Sequence, residues 1–142
     1  MHATTVVVGD RGVLIAGDTG AGKSTLALAL IRRLTSIGRF AALVADDRTD
    51  LQARTGCLLA SAPAPLAGLV EVRGLGPRPV AHEGRAVVDL LVRLVEPGLA
   101  PRYQEGESEI VAGCPVPSLS LPRRQTDASC AVVLSWLGLP PV

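Results

Sequence analysis

The sequence predicts one α/β domain, residues 1–142, with a mixed central sheet that is fed by an antiparallel hairpin. Two β-branched apolar runs, 4–8 and 12–16, flank Gly9-Asp10-Arg11, and short runs joined by such a turn are typical of a hairpin. A glycine-rich loop and a helical pattern follow the second run, and another short apolar run comes after them. This order of strand, strand, loop, helix and strand differs from the common topology, in which the loop-bearing strand opens a parallel sheet.

The first elements follow from periodicity and from their end signals. Residues 24–37 carry leucine and isoleucine at helical spacing among good helix formers, and Gly38 is a typical residue just after a helix. Residues 40–45 are apolar and are predicted to form a strand beside the loop. The chain therefore returns to the sheet directly after the helix.

The later elements are shorter and less regular. Extended segments are expected at 49–55 and 57–59, a loop or a single helical turn at 60–68, strands at 87–94 and 116–121, and a surface loop at 96–113. Residues 128–137 are apolar enough to form either a C-terminal helix or a closing strand. We find no internal repeat and no second domain.

Composition excludes several classes of protein. Apolar residues make up 48% of the chain but Phe, Trp and Tyr occur once each, so the core is expected to consist of Ala, Val and Leu. A net charge of +1 without a basic run gives no support to nucleic-acid binding. No apolar run reaches membrane-spanning length and no leader pattern is found, and three scattered cysteines favour reduced thiols. We therefore expect a cytoplasmic chain without a membrane or nucleic-acid partner.

Residues Gly17 to Ser24 fit the phosphate-binding loop (P-loop) pattern G-x-x-x-x-G-K-[ST] at every fixed position, between a strand and a helix. Glycines let backbone N–H groups approach phosphate oxygens, and the helix start adds its positive dipole end. Lys23 is expected to reach the outer phosphates of ATP and Ser24 a Mg²⁺ ion. A turn that binds nothing would leave Lys-Ser at this position without a role. The predicted nucleotide-binding residues are Gly17, Asp18, Thr19, Gly20, Ala21, Gly22, Lys23, Ser24 and Thr25.

Carboxylates that could serve a magnesium-nucleotide site follow the strand at 40–45. Asp46 and Asp47 come at its carboxyl end, and adjacent residues of an extended chain point to opposite sides, so we expect them to have different roles. An acidic turn capped by its own side chains is the alternative. Glu71 and Arg73 precede Gly74-Leu75-Gly76, where a turn facing a ligand is plausible, although each would be a solvated charge by default.

These segments resemble, in their order, bacterial HPr kinase/phosphorylase. The resemblance is carried by His2 before the hairpin, the loop 17–24, Val44-Ala45-Asp46-Asp47, Glu71-Val72-Arg73-Gly74-Leu75-Gly76 and residues 116–122, and it covers most of the chain. It is most similar to the catalytic domain in its short single-domain form from alphaproteobacteria. The resemblance implies a fold akin to the nucleotide-binding core of phosphoenolpyruvate carboxykinase. It also implies ATP-dependent phosphorylation of a serine on HPr, a small phosphocarrier of the sugar phosphotransferase system, with phosphorolysis as the reverse reaction.

The resemblance further implies a role for each matching residue. Asp46 would accept the serine proton with support from His2, and Lys23 and Arg73 would stabilise charge on the transferred group. Ser24 and Glu71 would be magnesium ligands, with Asp47 next to the metal and phosphates. The partner would be HPr or an HPr-like phosphocarrier, and the chain could form a homo-oligomer.

Two segments depart from the family pattern. Only Ala81 to Arg85 stands where the family has a longer basic loop, and Pro122-Arg123-Arg124-Gln125 replaces the usual Pro-Gly-Arg-Asn before a long helix. Phosphorolysis and assembly of several copies are therefore open, whereas the nucleotide site is untouched. We interpret Arg123 and Arg124 as a solvated basic turn, with an acidic patch of a partner as the alternative. A small-molecule P-loop kinase and a nucleotide-binding regulatory module remain as alternative functions.

Overall fold

The computed structural model describes residues 1–72, 74–79 and 82–140, without the side chains of Pro65, Glu71, Val72 and Pro79. Two α-helices, ten strands and two short 3-10 turns, Ala64–Leu66 and Pro97–Leu99, occur within these ranges. The strands and helices are β1 (Ala3–Val8), β2 (Arg11–Ala16), α1 (Lys23–Ser36), β3 (Ala41–Ala45), β4 (Asp50–Arg54), β5 (Cys57–Ser61), β6 (Leu69–Val72), β7 (Gly76–Pro79), β8 (Arg85–Val95), β9 (Ser108–Val111), β10 (Cys114–Pro122) and α2 (Thr126–Trp136).

The predicted fold class is confirmed. Strands β1 and β2 form an antiparallel hairpin, and β2 leads through the glycine-rich loop into α1, as the residue pattern indicated. The C-terminal segment is a helix rather than a strand. The prediction of a surface loop across 96–113 was wrong in part, because residues 108–111 form β9 and pair with β10. Sequence alone gave little signal for β9, since this strand is short and has a single buried residue.

The large sheet brings several strand ends to one edge. Its order is β3-β1-β2-β8-β10-β9 in the part of the chain described, and β5 joins it by pairing with β8. Strand β1 is antiparallel to both of its neighbours, whereas β2, β8 and β10 run parallel to one another. The carboxyl ends of β2, β3, β8 and β10 and the first residues of β1 therefore meet at the same edge. Strand β3 lies next to β1, so one strand separates it from the strand that bears the loop.

A close approach between β2 and β8 requires a glycine. The pairing of these strands shifts register between Gly12 and Val13. A Cβ at position 12 would lie 2.0 Å from the carbonyl oxygen of Val87, and the N–H of Gly12 donates to Oδ2 of Asp89 over 3.0 Å. Any side chain at this position would push β2 away from β8.

Apolar residues pack on both faces of the sheet, because side chains alternate along each strand. One cluster joins both helices to alternate residues of the strands, for example Val13 and Ile15 of β2. The second cluster contains Leu14 and Ala16 of the same strand. Cys130 is buried in the helix-covered cluster, and this burial raises the pKa of its thiol. No helix of the described part of the chain is long and apolar enough to cross a membrane.

Candidate functional site

The glycine-rich loop places the start of α1 at the carboxyl edge of the sheet. Gly22 has φ of 97°, which is a left-handed conformation that glycine adopts without strain, and the helix begins at the next residue. The first N–H groups of α1 have no carbonyl one turn earlier to bond. They face the anion-binding region of the loop together with the positive end of the helix dipole.

Lys23 is folded against the loop. Its side chain is almost fully buried, with 6% of the residue exposed. The ammonium Nζ donates to the carbonyl oxygens of Gly17 at 2.9 Å and of Asp18 at 3.2 Å. These two carbonyls hold the cation at the loop without neutralising its charge, so it remains available to an anion.

Asp46 is buried beside the start of α1, with 6% of the residue exposed. Its Oδ1 accepts hydrogen bonds from the hydroxyls of Ser24 at 2.5 Å and Thr4 at 3.0 Å. Ser24 is the last residue of the loop pattern and Thr4 belongs to β1. The carboxylate is thus oriented from two different elements.

Asp47 leaves the strand in a left-handed conformation, with φ of 65°, which is uncommon outside glycine but tolerated by aspartate. Its N–H donates to the hydroxyl of Thr4 over 3.2 Å, and its Oδ1 lies 2.5 Å from Nε2 of His2. Both side chains of this pair are well exposed, at 48% for His2 and 61% for Asp47. The resemblance placed His2 in support of Asp46, whereas this contact pairs it with Asp47.

A cavity of about 730 Å³ opens between the loop and the hairpin formed by β6 and β7. Predicted site residues that line it are Thr19, Gly20, Gly22, Lys23, Ser24, Thr25, Asp46 and Asp47. Leu66, Leu69, Val70, Gly74 and Pro77 provide an apolar wall, and Arg124 completes the lining. The cavity therefore combines the glycine-rich loop, two carboxylates and an apolar surface.

The remaining predicted residues lie elsewhere or outside the description. Gly17, Asp18 and Ala21 line a smaller cavity of about 250 Å³ on the other side of the loop. Arg73 is outside the described residues, and so is the side chain of Glu71. Their predicted roles stay predictions.

Comparison with known proteins decides the family. Residues 1–82, more than half of the chain, match the family model of the HPr Serine kinase C-terminal domain. The chain belongs to this family. The HPr kinase/phosphorylase of Latilactobacillus sakei is 33% identical over 134 residues, which cover 86% of this chain and 41% of that protein. The HPr kinase/phosphorylase of Clostridium tetani is 45% identical over 76 residues, or 54% of this chain and 23% of that protein.

A solved structure of the same family agrees over nearly the whole chain. The Hpr(Ser) kinase/phosphatase from Coxiella burnetii is 29% identical and superposes with a TM-score of 0.79, covering 97% of this chain and 87% of that one. By contrast, the chain spans less than half the length of the curated relatives described above. As a member of the HPr serine kinase C-terminal domain family, it shares their fold.

Sequence reasoning missed two residues of the site. Thr4 was interpreted only as part of a β-branched strand, yet its hydroxyl contacts both aspartates. Arg124 was interpreted as part of a solvated basic turn; it is exposed, and in addition its Nε donates to the carbonyl oxygen of Gly20 at 2.9 Å. The pattern gave no signal for either contact, because each joins segments that are far apart in sequence.

The oxygen donors present fit a magnesium ion. Ser24 and Asp47 both line the cavity, and Mg²⁺ in nucleotide sites is commonly held by few protein oxygens together with substrate phosphates and water. No group of three or more His, Cys, Asp or Glu that could hold a metal occurs among the described residues.

Proposed function

We propose that this protein transfers the γ-phosphoryl group of ATP to a serine of HPr or of an HPr-like phosphocarrier. The observation that carries the proposal is the contact between Ser24 of the loop and Asp46, at 2.5 Å, in the lining of a cavity that also contains Lys23. Membership of the HPr serine kinase family supports the choice of acceptor.

ATP would occupy the loop. Lys23, held by the carbonyls of Gly17 and Asp18, lies where it can meet negative charge on the outer phosphates. A Mg²⁺ ion, when bound, would neutralise charge on the phosphate oxygens, and Ser24, whose hydroxyl lies beside the Asp46 carboxylate, is placed to hold it. Glu71, Arg73 and Asp47 keep the roles that the resemblance implies for them, as part of the same proposal.

The serine proton needs an acceptor near the loop. Asp46 accepts this proton as the bond between the serine oxygen and the γ-phosphorus forms and the bond to the leaving ADP oxygen breaks. The bonds from Thr4 and Ser24 support this role because they fix the orientation of the carboxylate. His2 acts on Asp47 rather than directly on Asp46, and the pair supplies a second acid–base group at the more exposed part of the cavity.

The apolar wall of the cavity supports binding of a folded acceptor or of the nucleotide base. Residues 66–77 include Leu66, Leu69 and Pro77 in the lining, opposite the charged loop. Apolar surface with a few convergent polar groups is typical of ligand sites. The reverse reaction with inorganic phosphate would use the same residues with the proton moving from Asp46 to the departing serine.

The test is phosphoryl transfer to the carriers of the source organism. The purified protein is incubated with magnesium-ATP and each HPr-like carrier, with Asp46→Asn as a parallel sample, and the carriers are analysed by intact mass and phosphosite mapping. A gain of one phosphate on a carrier serine with the wild type alone is the expected result. ATP binding without transfer to any carrier would reject the proposal and favour a nucleotide-binding regulatory module. Transfer to a small molecule instead would favour a P-loop kinase of metabolites.

A further inference from the structure

Arg124 lies at the same sheet edge as the glycine-rich loop although it follows the loop by more than 100 positions. It comes two residues after the end of β10, which runs parallel to β8, and β8 runs parallel to the strand that bears the loop. The parallel course of these three strands brings their carboxyl ends together. As a result, Arg124 lies in the lining of the nucleotide cavity.

Two hydrogen bonds join Arg124 to the top of the loop. Its Nε donates to the carbonyl oxygen of Gly20 at 2.9 Å, and its backbone N–H donates to the carbonyl oxygen of Ala21 at 3.2 Å. A planar trans peptide carries its N–H opposite its carbonyl, so a carbonyl of Ala21 that faces Arg124 turns the N–H of Gly22 to the other side. The bond from Arg124 thus fixes the carbonyl of Ala21 and leaves the N–H of Gly22 available to an anion.

The backbone of Arg124 is in an uncommon conformation. Its φ is 59°, in the left-handed region that few residues other than glycine, asparagine and aspartate adopt readily. Arg124 makes both contacts with the loop in this conformation. Such an outlier is retained where surrounding contacts determine it, and it is often found at ligand sites.

The charge of Arg124 has no carboxylate partner among the described residues. The adjacent Arg123 differs in this respect, because its Nη2 lies 2.5 Å from Oε1 of Glu96 and it lines the smaller cavity on the other side of the loop. A guanidinium has five N–H donors in a planar fork, and the bond to Gly20 uses only the one on Nε. Arg124 lines the cavity that also contains Lys23 and Ser24.

We propose that Arg124 is a nucleotide-binding residue: it fixes the loop through Nε and its backbone N–H, and its terminal nitrogens bind phosphate oxygens of the nucleotide. The proposal rests on the proposed function in taking the ligand to be a nucleoside triphosphate. Arginine suits this role because its fork bonds one acceptor while its other N–H groups bond a phosphate. The solvated-turn interpretation of Arg124 assigns it no ligand.

The test measures binding of ATP and of inorganic tripolyphosphate by titration calorimetry, with Mg²⁺ and without any acceptor protein. Arg124→Gly removes the guanidinium but keeps the backbone N–H to Ala21 and relieves the left-handed strain. We expect this variant to weaken both ligands by about ten-fold or more, as for loss of a charge-assisted phosphate contact. Arg123→Gln removes the same charge from the neighbouring position and is expected to change both affinities by less than about two-fold.

Arg124→Lys is a second variant. Lysine, like arginine, must adopt the left-handed backbone conformation at this position, so the strain is unchanged. A single ammonium reaches either Gly20 or a phosphate but not both, so its affinity for both ligands is expected to lie between those of the wild type and Arg124→Gly. Equal loss in Arg123→Gln and Arg124→Gly would overturn the proposal, because net charge alone would then explain it. So would a loss for ATP without a loss for tripolyphosphate, which would point to the base instead of the phosphates.

The same titrations separate this proposal from the proposed function. If the wild type binds ATP and tripolyphosphate and Arg124→Gly binds them equally well, Arg124 has no ligand role and the kinase proposal is unaffected. If the wild type binds neither, the nucleotide role of the loop fails, and the assignment of Arg124 fails with it. Tripolyphosphate binding that weakens with Arg124→Gly supports Arg124 whatever the acceptor of the phosphoryl group is.

Discussion

The hydroxyl of Thr4 donates a hydrogen bond to Oδ1 of Asp46 over 3.0 Å, between residues that are 42 positions apart. The same hydroxyl accepts the N–H of Asp47 at 3.2 Å. One buried side chain of β1 therefore orients both aspartates at the end of β3. This relationship makes Thr4 a positioning residue, and it gives the first prediction.

Replacing Thr4 by valine keeps the shape of the side chain but leaves Asp46 with one donor fewer and the N–H of Asp47 without this acceptor. We expect the free energy of unfolding to fall by about 1–3 kcal/mol, as for a buried polar group that loses its partner. Phosphoryl transfer should fall by about ten-fold to a hundred-fold, because Asp46 loses its fixed orientation. Chemical denaturation and transfer assays measure the two effects. Thr4→Ser retains the hydroxyl and should keep most of the activity; an equal loss in this control would contradict a positioning role.

Ser24 gives a prediction about magnesium. Ser24→Ala removes the hydroxyl that donates to Asp46 and that is proposed to bind the metal, whereas Ser24→Thr keeps a hydroxyl at the same position. We expect Ser24→Ala to raise the Mg²⁺ concentration needed for half-maximal transfer by about ten-fold or more, and Ser24→Thr to stay near the wild type. The measurement is the transfer rate against Mg²⁺ concentration at fixed ATP. An unchanged magnesium requirement in Ser24→Ala would remove Ser24 from the metal site.

His2 and Asp47 are expected to act as a unit. Asp47→Asn is chosen because asparagine tolerates the left-handed backbone at this position, and His2→Gln keeps a polar side chain. Residues in direct contact show coupling of about 0.5–3 kcal/mol in double-mutant cycles. The loss of transfer rate in the double variant should thus be smaller than the product of the two single losses. Strictly multiplicative losses would show that the contact at 2.5 Å has no role in transfer.

Gly12 is predicted to be essential for stability. A Cβ at this position would lie 2.0 Å from the carbonyl oxygen of Val87, whereas a Cβ at Gly84 would meet nothing within 4 Å. We expect Gly12→Ala to lower the free energy of unfolding by about 2–3 kcal/mol through forced separation of β2 and β8. Gly84→Ala is the matched control and should stay within about 0.5 kcal/mol of the wild type. Denaturant titration with circular dichroism distinguishes the two, and equal stability of both variants would refute the packing argument.

The ion pair of Arg93 with Glu109 predicts a pH dependence of stability. Nε of Arg93 lies 2.8 Å from Oε1 of Glu109, and this hydrogen-bonded contact holds the pKa of Glu109 below its usual value of 4.5 and raises the pKa of Arg93. A carboxyl whose pKa is lowered by folding stabilises the protein above its unfolded pKa, and this contribution is lost as the pH falls through the folded pKa. Both side chains are more than a third exposed, so solvent screening limits the contribution to about 1 kcal/mol or less.

Denaturant titrations of wild type and Glu109→Gln at neutral pH and at about pH 3 test this sign. At neutral pH the wild type should have a larger free energy of unfolding than Glu109→Gln. This difference between the two proteins should shrink as the pH falls below the usual pKa of glutamate. Glu105→Gln, an exposed position in the same segment, should show no such change. A difference that grows at acid pH would contradict the direction of the Glu109 shift.

Much of the fold could be predicted because its signals are local. The hairpin of β1 and β2, the loop and α1 are each specified by residues within one continuous segment, and their bounds were predicted to within one residue. The loop residues could be predicted for the same reason, since the pattern from Gly17 to Ser24 is contiguous. Strand β9 was missed because its own residues show no clear strand pattern. It is a strand because it pairs with β10.

The pairing of site residues could not be predicted in the same way. Sequence indicated two aspartates with different roles, and they do differ in burial, but it could not say that His2 contacts Asp47. The sequence indicated a solvated basic turn at Arg123 and Arg124, and Arg124 is exposed, but its hydrogen bond to the loop could not be foreseen. The contact with Gly20 spans 104 positions and exists only because β10 and β2 run parallel on either side of β8.

The sequence by itself determined that residues 17–24 join a strand to a helix and predicted a phosphate-binding loop there, because backbone geometry in this segment depends on adjacent glycines and on the helix start. It also determined the α/β class through the spacing of apolar residues. Tertiary structure alone decided which side chains surround the loop. Thr4, Asp46, Asp47 and Arg124 reach it from three different strand ends, and only the strand order and direction of the folded sheet bring those ends to one edge.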